Sequence, residues 1–168
     1  MPNWCEGNIR FRGKQKDIKR FLMNEIVSCR YEGIELGTVT ERPEIKDDGF
    51  LLTIRKTAEH GWIYINNTRR HFLPDNIEVW LSEDDEEEAE TIVCIDGFKA
   101  AWSFEYCDAW KDFAKQYNID VKMTGYERGM MFSQIKTILR DGTVKEEIKE
   151  YETWEDWAWN CPQPNNGG

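Results

Sequence analysis

Trp4-Cys5-Glu6-Gly7-Asn8-Ile9-Arg10-Phe11-Arg12-Gly13 is the stretch that decides the fold. Ile9 and Phe11 alternate with Asn8, Arg10 and Arg12. That is the period-two pattern of a strand with one buried face. Gly13 ends it, and the period then changes. Over 14–27 the apolar residues Ile18, Phe21, Leu22 and Ile26 recur at spacings of three and four, which predicts an amphipathic helix. Lys14, Lys16, Lys19 and Arg20 take the other positions and give it a basic, solvated face.

Working outward, strands are expected over 33–40 and 49–54, joined as a hairpin by a long loop holding Pro43 and the Asp47-Asp48-Gly49 turn. Short strands follow over 62–65 and 77–81, with 66–72 as a loop or single helical turn. Residues 91–95 form an apolar strand running on towards Trp102, and Ser103 is placed to N-cap a second helix. That helix carries Cys107, Trp110, Phe113, Ala114 and Tyr117 on one stripe and stops at Asn118. Strands over 119–126 and 130–139 turn at Glu127-Arg128-Gly129. Asp141-Gly142 is a strong hairpin signal leading to a last strand over 143–151. The expected class is α+β: a ferredoxin-like antiparallel sheet with two helices on one face, extended by extra C-terminal hairpin strands. It forms one domain over 1–160, with an acidic loop at 82–90 and a flexible tail at 161–168.

The 168 residues fit one domain. No apolar run reaches the ~20 residues of a membrane helix, and no secretory leader is expected. The five cysteines are odd in number and lack CxxC spacing, so neither a disulfide framework nor a zinc site is expected. Cys5, Cys94 and Cys107 read as small hydrophobes and reduced thiols of a cytoplasmic protein. The net charge of −10 argues against direct binding of duplex DNA. Glu83, Asp84, Asp85, Glu86, Glu87, Glu88 and Glu90 carry most of that charge, leaving −3 over the rest.

Met1-Pro2-Asn3-Trp4-Cys5-Glu6-Gly7-Asn8, followed by a strand and Gly13, resembles the opening of the YubB-type ferredoxin-like proteins of phages and plasmids. Ala101-Trp102-Ser103 before a helix with Trp110 and Phe113, the Tyr126-Glu127-Arg128-Gly129 turn, the Asp141-Gly142 hairpin and the 154–164 end with Cys161-Pro162 resemble it in the same order. Phe104-Glu105 stands where relatives carry proline, so the start of that helix departs from the pattern. The resemblance implies a mobile-element origin, in the cytoplasm of an infected or lysogenic bacterial host, and a fold. It implies no catalytic residues.

No constellation points to an enzyme, a cofactor or a metal. Two binding surfaces stand out. The first is the acidic block, Glu83, Asp84, Asp85, Glu86, Glu87 and Glu88, together with Trp154 and Trp157 from the tryptophan-rich 154–159 segment. Carboxylates steer and aromatics anchor a host protein or protein–nucleic-acid complex, such as a defence nuclease, which the chain would inhibit or modulate. The alternative is a small nucleotide- or RNA-binding module built on Trp62, Tyr64, Arg69, Arg70 and His71, in which aromatics stack a base and arginines clamp a phosphate. No membrane partner is expected, and homo-oligomer formation is left open.

Overall fold

A computed structural model describes residues 3–32, 38–68, 70–81, 88–104 and 108–167. The first element is β1 (Trp4–Lys14), followed at once by α1 (Gln15–Glu25). Then come β2 (Ile26–Tyr31), β3 (Thr38–Glu41), β4 (Glu44–Asp47), β5 (Leu51–Arg55), β6 (Gly61–Ile65), β7 (His71–Leu73), β8 (Asn76–Trp80) and β9 (Glu90–Ala101). The chain ends with α2 (Asp108–Gln116), β10 (Asp120–Glu127), β11 (Phe132–Ile138), β12 (Val144–Glu150) and α3 (Trp154–Asn160). Among the described residues no helix is long and apolar enough to cross a membrane.

The class is α+β with an antiparallel sheet. Nine strands run in the order β12-β11-β10-β1-β9-β7-β6-β2-β3, wider than the four strands of a simple β-α-β-β-α-β unit. β1 lies mid-sheet, between β10 and β9, as its alternation requires: Cys5, Ile9 and Phe11 are buried while Arg10 and Arg12 are exposed. α1 and α2 both cover the Phe11 side. Phe21 of α1 packs 4.9 Å from Phe11 and 5.5 Å from Phe113 of α2, ring centre to ring centre. A separate three-stranded sheet, β4-β5-β8, adds Leu52, Ile54, Ile77 and Val79 to the same core. On the other face of the nine-stranded sheet α3 packs at Tyr126; among the described residues α1 and α2 leave that face uncovered, and most of its residues are half-buried or exposed, with Cys29, Ala101 and Asp120 buried.

Several boundaries depart from the sequence expectation. α1 stops at Glu25 because Ile26 and Val27, β-branched and stiff, pair with Ile65 and Tyr64 of β6 instead of extending the helical stripe. Among the described residues the expected hairpin between 33–40 and 49–54 does not form. β3 and β5 belong to different sheets, and β5 turns back on β4 through Asp48, whose Oδ1 accepts from the Phe50 and Leu51 N–H groups. Part of the expected first strand, 33–37, lies outside the described residues. Residues 71 and 72, expected at the end of a loop or helical turn over 66–72, instead open β7 against β6 and β9. The Ser103 N–H donates to the Ala101 carbonyl and Phe104 is non-helical; residues 105–107, where the expected helix would begin, lie outside the described residues, Cys107 among them.

The C-terminal region holds a third helix. Thr153 Oγ1 accepts from the Asp156 N–H at 3.1 Å, and an Asp156 carboxylate oxygen accepts from the Glu152 N–H at 3.3 Å, a capping box whose return bond falls one residue before the N-cap. The tail expected to be flexible packs back on the sheet. Pro164 accepts a hydrogen bond from the Trp157 indole, and at Gly167 a Cβ would lie 2.4 Å from the Tyr126 carbonyl oxygen.

Candidate functional site

On the open face of the sheet, alternation and register bring together side chains far apart in sequence. Phe72 stands opposite both Tyr64 and Lys99, and Trp4 stands opposite Ala101 two positions beyond Lys99. Trp62 stands two residues before Tyr64 on the same face of β6. The rings meet edge to face: Trp4 and Phe72 at 5.6 Å and 75°, Trp62 and Phe72 at 6.4 Å and 77°. The Lys99 ammonium lies 5.4 Å from the centre of the Trp4 ring. A cleft of about 510 Å³ opens between Trp4, Trp62, Phe72, Pro74 and Lys99. A second hollow behind Trp62 and Phe72 is lined by Cys29, Tyr64 and Arg70. Arg70 is exposed and held in the left-handed region, φ 56°, at the entry to β7. Each edge-to-face pair covers one face of one of its two rings and leaves the other faces for a flat guest; Lys99 lies over Trp4, and Arg70 shares the second hollow with Trp62 and Phe72. A cleft of this size lies within the range of small-ligand sites.

Three of the five residues expected in the alternative site, Trp62, Tyr64 and Arg70, therefore converge. Arg69 lies outside the described residues. His71 does not belong to the site. It is one residue from Phe72 and so points through the sheet into the core, where it is 1 % exposed. There the Trp110 indole N–H donates to its Nδ1 at 2.9 Å. Burial, and then the positive charge of Lys136, pull the His71 pKa down to about 4. Trp4, Phe72 and Lys99 were not expected in the site. Trp4 carries the one local signal, its parity with Glu6 and Asn8 on β1.

The acidic surface fares differently. Positions 83–87, with Glu83, Asp84, Asp85, Glu86 and Glu87, lie outside the described residues. Glu88 receives the Lys14 ammonium at 2.8 Å and also the Lys16 ammonium, so it is bonded to the basic flank of α1. Trp157, expected as a contact residue, is fully buried: it packs 5.1 Å from Tyr151 and its indole N–H donates to the Pro164 carbonyl at 2.9 Å. Its helix needs one inward anchor at that position. Trp154 is half exposed beneath the Arg128 guanidinium, and Trp159 is 88 % exposed.

Cysteine chemistry finds no support at Cys5. Burial, with Glu127 and Glu6 adding, pushes its thiol up to about 12, far from a nucleophilic thiolate at neutral pH. Cys94, expected in apolar surroundings, is exposed on the open face because it shares parity with Asp96 and Ile92 of β9.

No family model, no curated protein and no solved structure matches the chain.

Proposed function

We propose that this chain is a non-enzymatic accessory protein of the YubB type, carried by a mobile element and acting in the cytoplasm of its bacterial host. It binds a nucleotide or an RNA end through the aromatic cleft of its sheet. The observation that carries this is the convergence of Trp4, Trp62 and Phe72 with Lys99 and Arg70 on the face that α1 and α2 leave open. Stacking on ring faces is worth about 1–3 kcal/mol per base, and a cation beside the ring adds the phosphate contact. The finer fold belongs to the same reading. β1-α1-β2 and β9-α2-β10, with β10-β1-β9 adjacent, make a ferredoxin-like core widened by β6 and β7 between β9 and β2. On sheets of this kind the face opposite the helices stacks unpaired bases. This last support is fold-level analogy.

Titration with adenosine and uridine monophosphates tests the proposal. The expected result is quenching of tryptophan fluorescence, with Trp62→Ala and Phe72→Ala each weakening binding about tenfold in a chain that still unfolds cooperatively. Arg70→Ala should weaken nucleotides more than nucleosides. Absence of quenching at millimolar nucleotide defeats the proposal.

A second reading has one observation in its favour. Trp159 and Trp154 present aromatic surface on α3, beside the carboxylates Glu155 and Glu152. These, with the 83–88 block, would engage a host defence or nucleic-acid-processing protein. In that case Trp159→Ser would abolish capture of a host nuclease complex without altering nucleotide quenching.

A further inference from the structure

The open face carries more than its cleft. Arg10 on β1 stands opposite Lys122 on β10, Lys122 opposite Thr137 on β11, and Thr137 opposite Lys145 on β12. Three cations thus lie in one row across four strands, a span of about 14 Å at 4.8 Å per strand. All three are exposed, and among the described residues none has an ion-pair partner. The next row is unlike it: Arg12 bonds Asp120 at 2.7 Å, and Arg140 bonds Asp120 and Glu90. On a chain of net charge −10, a row of unpaired like charges repels itself and is relieved by an anion of matching length. At the 3.4 Å axial spacing of a nucleic-acid strand the row spans on the order of 4 phosphates, fewer when the strand is stretched. Between row and cleft, Asn8, Thr124 and Ile135 form an uncharged stretch with Asp96 and Glu147 at its two ends, and one carboxylate, Glu6, stands nearer the cleft between Lys99 and Tyr126, so a strand's phosphates pass on the Thr124 side of it. The distance from Arg10 to Trp4 along β1 is about 20 Å.

We infer that this face is the track of a single-stranded nucleic acid several nucleotides long. Its bases stack in the Trp4–Trp62–Phe72 cleft, and its phosphates run past the cleft onto Arg10, Lys122 and Lys145. The inference rests on the proposed function and extends it from a mononucleotide to a polymer. A single strand is specified because the cleft needs unpaired bases, whereas three cations on a strongly acidic chain are too few to hold a duplex by charge alone.

Fluorescence anisotropy with labelled oligouridine and oligodeoxyuridine, from about 2 to about 12 nucleotides, tests this, with uridine monophosphate and a hairpin duplex alongside. Affinity should rise with length to about 8 nucleotides and then level. Lys122→Glu combined with Lys145→Glu should weaken the longer oligomers about tenfold or more. It should also flatten the log–log salt slope by about 1.4. Uridine monophosphate binding and the melting temperature should not change. A preference for ribose or deoxyribose identifies the natural strand, and either preference supports the track. If oligomers of every length bind no more tightly than the mononucleotide, this inference fails and the cleft reading stands. If the mononucleotide does not bind either, both fail. A duplex bound as tightly as a single strand also overturns the track.

Discussion

Gly7→Ala is expected to destabilise the protein by about 3 kcal/mol or more, a large share of the 5–15 kcal/mol that holds a domain folded. A Cβ at position 7 would lie 2.0 Å from the Thr124 carbonyl oxygen and 2.9 Å from the Gly125 Cα. Both obstacles are backbone of the neighbouring strand β10, so relief requires β1 and β10 to part at mid-sheet, next to the register shift at Gly7 and Asn8. Gly125→Ala meets a different obstacle. Its Cβ would lie 2.2 Å from Phe104 Cζ and 2.7 Å from Cys5 Sγ. Phe104 is fully buried beside Phe98, 5.3 Å away, yet it is a side chain and shifts at lower cost than a strand. Gly49→Ala is the comparison, because nothing lies within 4 Å of its Cβ and only its φ of 92° opposes the change. Urea unfolding should rank the three as position 7, then 125, then 49. A Gly7→Ala variant of wild-type stability would show that β1 and β10 are not held at this spacing.

The same glycine shows what was legible in the sequence. The alternation of Ile9 and Phe11 fixes β1 and its buried side without help from any other strand, and the three-and-four spacing does the same for α1. Asp141-Gly142 marks the β11–β12 hairpin, since the glycine supplies the positive φ of 87° that the turn requires. Beyond these, the decisive facts are non-local. In a three-residue strand such as β7, period two is invisible, so His71 and Phe72 cannot be sorted into core and site until β9 and β6 are paired with them. Ile26 and Val27 continue the helical spacing as well as they start a strand, and only β6 decides between the two. The capping box of α3 was present in Thr153 and Asp156, but which tryptophan of 154, 157 and 159 turns inward depends on Tyr151 and Pro164. The site followed the same division. Trp62 and Tyr64 are two apart on one strand and could be read together, whereas Lys99 and Trp4 join them only through the order β1-β9-β7-β6.

Acidification from pH 7 to pH 5 is expected to remove about 2 kcal/mol of stability through His71 alone. In the folded chain its pKa is pulled down to about 4, by burial first and by Lys136 second, against about 6.5 for a free histidine. The native ring must stay neutral at Nδ1, because that atom accepts the Trp110 indole N–H. As pH falls through 6.5 the unfolded chain takes up a proton that the folded chain refuses, so the equilibrium moves towards unfolding. The contribution is complete above about pH 6.5 and is lost progressively down to about pH 4, where the total reaches about 3 kcal/mol. Below that the native ring protonates too and the dependence from this group ends. The carboxylates Asp47, Glu90, Asp120 and Glu146 are held below their ordinary range by hydrogen bonds and ion pairs that outweigh burial. Their contribution is present above the carboxylate range and is lost only below about pH 4.5, so the interval from 6.5 to 5 isolates the histidine. Two variants separate titration from packing. His71→Gln can keep an acceptor for Trp110 without a titrating ring, so its unfolding free energy should be nearly flat between pH 7 and pH 5. His71→Phe should also be flat but lower by about 1–3 kcal/mol throughout, because it leaves a buried indole N–H unpaired. Equal pH slopes in the wild type and His71→Gln would show that the ring titrates alike in the folded and unfolded chains, and that the Trp110 contact does not hold it neutral.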